Sequence, residues 1–347
     1  MRGCLWRGRI GLGRTVARTV AAVLLMAVAA SSGARAEVAE VSIAKQYGAI
    51  YLPIMVMEHQ GLVEKHLAAQ GLKDTKVAWP QFSGPSVIVD AFLSGNVHFG
   101  AQGVPSLMLL WDRTRTGLEV KGVSALCDSN IWLNTRRQDV KSLKDIKETE
   151  RIAMTSAKTA SSIIFQGLQA EKEWGVGQWN RLDHQVVSMS HPDSVAALLN
   201  PNHEVAYHWA TSPFHEAEIK AGAKTVMSAY DVMGGQSTLI TFTSTGKFRT
   251  ENPKSYQAVL AAIDEARDWI NADKKRAAAL YLELTKDRRV TVEEMHALLT
   301  ADGFEFSKTP HKVGRQAEFL HHMGLIKTKP ASWKDVFFAE AHGLAGD

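Results

Sequence analysis

The residues of this chain best suited to chemistry sit at five joints where an apolar, strand-like run gives way to a helical pattern. One joint carries Thr155, Ser156, Lys158, Thr159, Ser161 and Ser162 ahead of a helical run from Ile163. The others carry Ser83-Gly84-Pro85-Ser86, Gln102-Gly103-Val104-Pro105-Ser106, Ser188 with Ser190-His191-Pro192, and His208-Trp209 with Thr211-Ser212-Pro213. A helix N-terminus leaves backbone N–H groups unpaired and carries a partial positive charge, so it attracts anions and polar acceptors. Proline costs nothing there, because its missing N–H would have been unpaired in any case. The chemistry that suits these joints is therefore the holding of an acceptor-rich ligand. A serine or threonine ahead of a helix is also an ordinary cap; five such joints, with Gln102, Lys158, His208 and Trp209 among them, favour a shared cleft.

Bond-making chemistry finds less support. Thr155-Ser-Ala-Lys158 imitates a Ser-x-x-Lys nucleophile motif, but the serine is missing from the required position and the companion motifs are absent. His191-Pro-Asp193 matches the J-domain tripeptide only in letters, because it lies in a strand-to-helix joint. His321-His322 and the spaced His208 and His215 lack an Asp, Glu or Cys cluster at ligand spacing, so they read as solvated or capping histidines. There is no Walker loop, no G-x-G-x-x-G and no G-x-S-x-G. The expectation is a binding protein without catalytic residue, metal or cofactor.

The elements that must position these joints alternate along the chain. Strands are expected at 41–45, 76–79, 97–101, 119–126, 131–134, 151–154, 184–188, 205–209, 225–229 and 239–243, most of them followed by a helical pattern. Repeated β-α units with short connections imply mainly parallel sheets covered by helices. In such open sheets, ligands bind outside the carboxyl ends of the strands, where the helix N-termini gather. From 253 to 284 the pattern is helical, with Asn252-Pro253 as a start signal, and Thr291 with Glu294 forms a capping-box pair for one more short helix.

The first 36 residues read differently. Arg2, Arg7, Arg9, Arg14 and Arg18 precede an apolar run over 20–30, and Ala34-Arg35-Ala36 follows as a small-x-small cleavage site, the pattern of a secretory signal. The run is too short for a permanent anchor, and no later stretch approaches the roughly 20 apolar residues of a membrane helix. Removing six arginines from the 40 basic residues leaves 34 against 36 acidic ones, so the mature chain is about neutral and nothing favours nucleic acid. Cys4 leaves with the signal, and Cys127 then stands alone as a small buried residue of an apolar strand.

The stretches "QYGAIYLPIMVMEHQGLVEKHLAAQGL", "VDAFLSGNVHFGAQGVPSLMLLWDRT" and "LNTRRQDVKSLKDIK", followed in order by "VSMSHPDSVAALL", "ATSPFHEAEI" and "IKTKPASWKDVFF", resemble the periplasmic solute-binding proteins of ABC importers in the nitrate/sulfonate/taurine group, which includes binders of thiamine-precursor pyrimidines. The resemblance covers nearly the whole chain after the signal. It implies an α/β, two-lobed periplasmic-binding-protein fold of type II, each lobe a mainly parallel sheet flanked by helices, with a helical C-terminal cover. Lobe I would take 37–125 and 235–347, and lobe II 126–234, with crossings near 124–131 and 230–237 and Gly234-Gly235 as hinge.

On the same resemblance, the cleft walls are Gln46, Tyr47, Ser83, Gly84, Gln102 and Gly103 on one side. On the other they are Ser156, Lys158 and Thr159, the stretch 188–191, and His208 and Trp209. Tyr47 and Trp209 are expected to sandwich the ligand, and Ser83, Gln102, Ser156 and Thr159 to donate to its oxygens. This chain has Asn96-Val97-His98-Phe99 where relatives have Gly-x-Val-Asp-Phe, and Ala206 where an acidic residue is common. If both positions face the cleft, an anionic or neutral solute is favoured over an aminated one; His98 reads more readily as a structural replacement facing away. The implied partners are a small-molecule solute, an ABC permease and, through it, a cytoplasmic ATPase, with the chain a periplasmic monomer. Two other classes share the fold: pyrimidine-precursor synthases, whose cysteine-rich motif is missing here, and ligand-sensing subunits that touch a receptor.

Overall fold

The computed structural model describes Gly3 and residues 37–347. The signal read over 1–36, with Cys4, otherwise lies outside the described residues. The alternating pattern forms two five-stranded sheets. Strands β1 (Glu40–Ala44), β2 (Lys76–Ala78), β3 (Phe99–Gly103) and β4 (Val120–Asp128) belong to the first. Strands β5 (Trp132–Thr135), β6 (Arg151–Met154), β7 (Val186–Ser188), β8 (Val205–Ala210) and β9 (Lys224–Ser228) form the second, and β10 (Thr238–Thr245) returns to the first. The orders are β2-β1-β3-β10-β4 and β7-β6-β8-β5-β9. Each expected strand has a counterpart. Boundaries move by at most two residues: β3 starts and ends two later than expected, β4 and β10 end two later, and β7 loses 184–185 to a 3-10 turn at Asp183–Gln185.

Both sheets are built the same way. Pairings β1–β2, β1–β3, β6–β7 and β6–β8 are parallel, whereas β10 runs against β3 and β4, and β5 runs against β8 and β9. Every strand but one in each sheet therefore shares a direction. The reversed strand is in both cases the first one made after the chain has crossed from the other sheet. Buried on both faces, β8 has no exposed residue in Val205–Ala210, which is why it reads as a continuous run rather than an alternation.

Helices α1 (Leu52–His59) and α2 (Leu62–Ala69) follow β1, α3 (Pro85–Leu93) follows β2, and α4 (Val104–Arg113) follows β3. In the second half α5 (Ser162–Trp174) follows β6, α6 (His191–Leu199) follows β7, α7 (Phe214–Lys220) follows β8 and α8 (Ala229–Met233) follows β9. After α9 (Gly246–Glu251) the helical cover consists of α10 (Pro253–Ala272), α11 (Lys274–Thr285), α12 (Val292–Leu299) and α13 (Val313–His322). Thr291 and Glu294 make both bonds of the capping box. Asn252 stands at the N-cap of α10 but does not cap it with its side chain; its Oδ1 accepts instead from Val38 N–H at 2.8 Å and ties down the start of β1.

The chain crosses between sheets over 129–131 and again over 234–237. Asp128, fully buried, accepts from Thr238 Oγ1 (2.8 Å) and Gln236 Nε2 (3.0 Å) and pairs with His311 Nδ1. Gly234 and Gly235 both have positive φ, 73° and 114°, a turn that other residues adopt only with strain. Lys312 Nζ donates to Gly234 O (2.7 Å) and Arg315 to Met233 O (2.7 Å), placing cations on the carbonyls that end α8. Residues 38–347 form one compact unit, and none of the described helices is long and apolar enough to cross a membrane.

Candidate functional site

Four helix starts converge on one small cavity between the halves. Its wall includes Pro85, the first residue of α3, Gly103 at the N-cap of α4, Ser161 and Ser162 at the start of α5, and His191, the first residue of α6. Tyr51, Thr155, Thr159, Trp209 and Thr211 complete its polar and aromatic lining, and its volume is about 40 Å³. Among the described residues lining it there is no Asp, Glu, Lys or Arg. Its electrostatics come from helix ends and hydroxyls rather than from charged side chains.

The halves are stapled around this cavity. Ala49 N–H donates to Ser212 O (3.2 Å), Ser106 Oγ to Thr159 O (3.0 Å) and Ser161 Oγ to Leu239 O (3.3 Å). Two glycines permit the approach. A Cβ on Gly84 would lie 2.5 Å from the Thr155 carbonyl oxygen, and one on Gly103 would overlap Ser161 Oγ.

The predicted site residues divide among several places. Gly103, Thr159 and Trp209 line the central cavity, and Gly84 packs against its rim at Thr155. Gln46 and Tyr47 line a second, larger cavity of about 930 Å³, shared with Pro192, Phe214, Tyr281 and Arg289. Tyr47 is exposed and does not share a cavity with Trp209, so the two do not form the expected sandwich. Gln46 is buried and its Nε2 donates to Ala101 O at 3.0 Å. Ser83 and Lys158 are exposed and line neither cavity. Ser156 Oγ is spent locally, accepting from the Thr159 hydroxyl (2.7 Å) and from the Lys158 and Thr159 backbone N–H groups (both 3.3 Å). Gln102 is fully buried and neither its Nε2 nor its Oε1 has a protein partner.

Trp209 is a core residue with one edge on the cavity. It is 2% exposed, its Nε1 donates to Gln166 Oε1 at 3.1 Å, and it packs against Phe165. His98 lines neither of these two cavities; its Nδ1 accepts from Ser42 N–H (3.1 Å) and its ring stacks on Phe248 at 4.5 Å. Burial holds its pKa below the ordinary histidine value. Cys127 is buried, and burial first, then Asp128, pushes its thiol pKa well up, which makes it a poor nucleophile.

The reading of His208 as solvated or capping is overturned. It is fully buried in a chain of hydrogen bonds whose acidic member, Glu218, stands ten residues on in α7. Glu218 Oε2 accepts from Asn134 Nδ2 (2.8 Å), Glu218 Oε1 lies 2.5 Å from His208 Nδ1, and His208 Nε2 lies 2.9 Å from His191 Nδ1. His191 Nε2 lies 3.3 Å from Thr211 Oγ1 at the cavity wall. Burial, and then His208, holds His191 well below the usual histidine range. His215, stacked on Trp132 at 4.0 Å and bonded to Asn134, is pushed down to about 4 by burial. The sequence did hold a signal for Glu218: Phe214, Ala217 and Glu218 fall at i, i+3 and i+4, the buried stripe of a helix.

A family model described as NMT1/THI5 like matches residues 68–277. The alkanesulfonate-binding protein SsuA from Xanthomonas axonopodis pv. citri bound to MOPS superimposes with a TM-score of 0.64 at 16% identity, over 88% of this chain and 98% of that one. The periplasmic nitrate-binding protein NrtA from Synechocystis PCC 6803 does so with 0.60 at 14% identity, over 86% and 84%. A conserved Candida albicans gene product with the generic periplasmic binding protein fold gives 0.61 at 12% identity, over 84% and 92%. No curated protein matches the chain in sequence. The architecture is the periplasmic-binding-protein fold that the sequence resemblance implied.

Three outcomes follow from this geometry. Trp209→Ala removes a core ring and a buried hydrogen bond, so it should cost about 3–5 kcal/mol in equilibrium denaturation, a structural loss rather than a purely local one. Gly84→Ala should wedge the halves apart at Thr155, raising the radius of gyration in small-angle scattering while the unfolding midpoint is kept; an unchanged curve would show Thr155 yielding instead. Finally, His215 titrates lower when folded than the unfolded value of about 6.5. As pH falls from there towards 4, the unfolded chain binds a proton that the folded one refuses, and stability drops by up to ~1.4 kcal/mol per pH unit. His215→Phe should flatten that slope in denaturation curves taken across the window.

Proposed function

The chain belongs to the NMT1/THI5-like family, and on that premise we propose that it is the solute-binding component of an ABC-type importer, exported by the signal read over 1–36 and acting in the periplasm. One observation carries the reading: four helix N-termini, two from each half, aim at one uncharged cavity. Helix N-termini in that arrangement suit a small solute rich in acceptor oxygens, an anion of the sulfonate or nitrate kind or a related nitrogen compound. Relatives of the same fold described as alkanesulfonate-binding and nitrate-binding support the same class.

The mechanism is capture without bond-making. Residues 37–125 with 235–347 act as one lobe and 126–234 as the other, and the crossings at 129–131 and 234–237 are the hinge. A solute docks against the donors of one lobe, closure expels water and adds those of the other, and the closed form is read by a membrane permease. The staples from Ala49, Ser106 and Ser161 are the contacts that closure makes. The buried, high-pKa Cys127 supplies no nucleophile to the cleft.

A thermal-shift screen of the chain from Glu37 onward, against sulfonates, carboxylates, nitrate and pyrimidines, tests this. A true ligand should raise the melting temperature with concentration, worth about 2.7 kcal/mol at 100 times its Kd. A shift confined to one class names the cargo class. A flat response to every class, from protein verified free of co-purified ligand, contradicts solute capture.

A further inference from the structure

An anion in the central cavity would meet helix ends and hydroxyls but no counter-ion, because no Lys or Arg is among the described residues lining it. Of those residues, His191 alone can acquire a positive charge, and its ring is the outer end of the buried chain Glu218–His208–His191. The hydrogen-bond polarity of that chain is set from its inner end. A carboxylate only accepts; Glu218 Oε2 is taken by Asn134 Nδ2, so Oε1 accepts from His208 Nδ1–H. With a single proton, on Nδ1, His208 has a lone pair on Nε2, which His191 satisfies with Nδ1–H. His191 is left with a lone pair on Nε2, directed at Thr211 Oγ1 and the cavity wall.

In this state His191 Nε2 accepts the Thr211 hydroxyl proton, so neither group donates to the cavity, the wrong polarity for an anion. One proton from solvent reverses it. The proton forms an N–H at His191 Nε2, and transfer of the shared proton from His191 Nδ1 to His208 Nε2 places the positive charge beside Glu218. We propose that the Glu218–His208–His191 relay couples anion capture to uptake of one proton, with His191 the specificity-determining group that changes from acceptor to donor. The proposal rests on the anion-binding reading above.

The surroundings of the relay fix the sign of the pH dependence. Besides Glu218, α7 contributes His215, pushed down to about 4, and Glu216, held up by burial. Thr211 and Tyr51 at the cavity wall bring hydroxyls, with the Tyr51 phenol pushed up by burial, and Asp193 in the first turn of α6 is turned to Ser190 at 2.5 Å. From the segment before α12, the Arg289 guanidinium lies 5.0 Å over Phe214, whose ring stacks on His191. Burial, and then His208, holds the unliganded His191 well below the usual histidine range. A bound anion favours the charged form, so affinity rises as pH falls, by about tenfold per pH unit between the titration points of the free and bound relay.

Calorimetry on the chain from Glu37, with methanesulfonate and nitrate as probes at pH 6 and 8 in two buffers of different ionisation heat, reads the proton directly. The expected result is close to one proton taken up per anion and weaker binding at the higher pH, with both effects gone in His191→Gln. Nitrogen-15 NMR of the unliganded protein reads the tautomers directly, and the relay requires each of the two rings to carry its proton on Nδ1. Binding with no proton uptake and a flat pH profile overturns the relay but leaves solute capture standing, as does a His191 found with its proton on Nε2. Absence of binding by either anion to folded protein overturns the anion reading itself and the coupling with it.

Discussion

The arrangement of the two sheets depends on how one buried carboxylate is held. Asp128 ends β4, where the chain leaves the first sheet, and it is fully buried. An unpaired carboxylate there would cost several kcal/mol. Burial does push its pKa up, while the His311 and Thr238 hydrogen bonds oppose the rise. Its partners are Gln236 on the returning crossing, Thr238 at the start of β10 and His311 ahead of α13. Backbone bonds between Asp128 and Glu305, 2.8 and 3.0 Å, add a further tie. One side chain thus holds both crossings side by side and fastens them to the C-terminal cover. With the crossings fixed, the two sheets can only present their strand ends to each other, and the helix starts that follow those ends must meet.

That meeting explains why the cleft needs so few dedicated side chains. Ser156 spends its hydroxyl on its own turn, and Ser106 and Ser161 spend theirs on carbonyls of the opposite half. The hydroxyl-rich joints therefore shape and close the cleft, and leave its polarity to the helix starts. That polarity is fixed by the helices that carry it and loses no rotamer freedom when a ligand arrives. Gly84 and Gly103 fit the same logic, since each stands where a Cβ would hold the halves apart.

The fold was largely legible because it rests on local patterns. Ten strand-like runs, a capping box at Thr291 and Glu294, and proline at helix starts are all decided within a few residues, and the structure keeps them. The site was less legible because it depends on which side of an element a residue takes and what lies across from it. Tyr47 and Trp209 are both aromatic residues near strand ends, yet one is exposed on the larger cavity and the other is tied into the core by Gln166. Asn252 has the type and position of a cap but serves Val38, far away in sequence. Glu218 shares the buried stripe of its helix with Phe214 and Ala217, but the partners that hold it, Asn134 on β5 and His208 on β8, come from elsewhere in the chain and only the fold brings them together.

His208 shows what sets the division between a structural polar residue and a functional one. A fully buried imidazole must place both nitrogens in hydrogen bonds or bear the cost of leaving one unmade. Glu218 satisfies Nδ1 and His191 satisfies Nε2, so by itself the pair could be a purely structural bridge from α7 through β8 to α6. The bridge does not end in the core, however. Its last nitrogen, His191 Nε2, stands at the cavity wall with only a 3.3 Å contact to Thr211 Oγ1. A bridge built for stability alone gains nothing from ending at a cleft, where its terminal polarity is open to exchange with solvent or solute. In a cavity whose lining carries no fixed charge, that terminal nitrogen is the place where a proton changes what the cleft accepts.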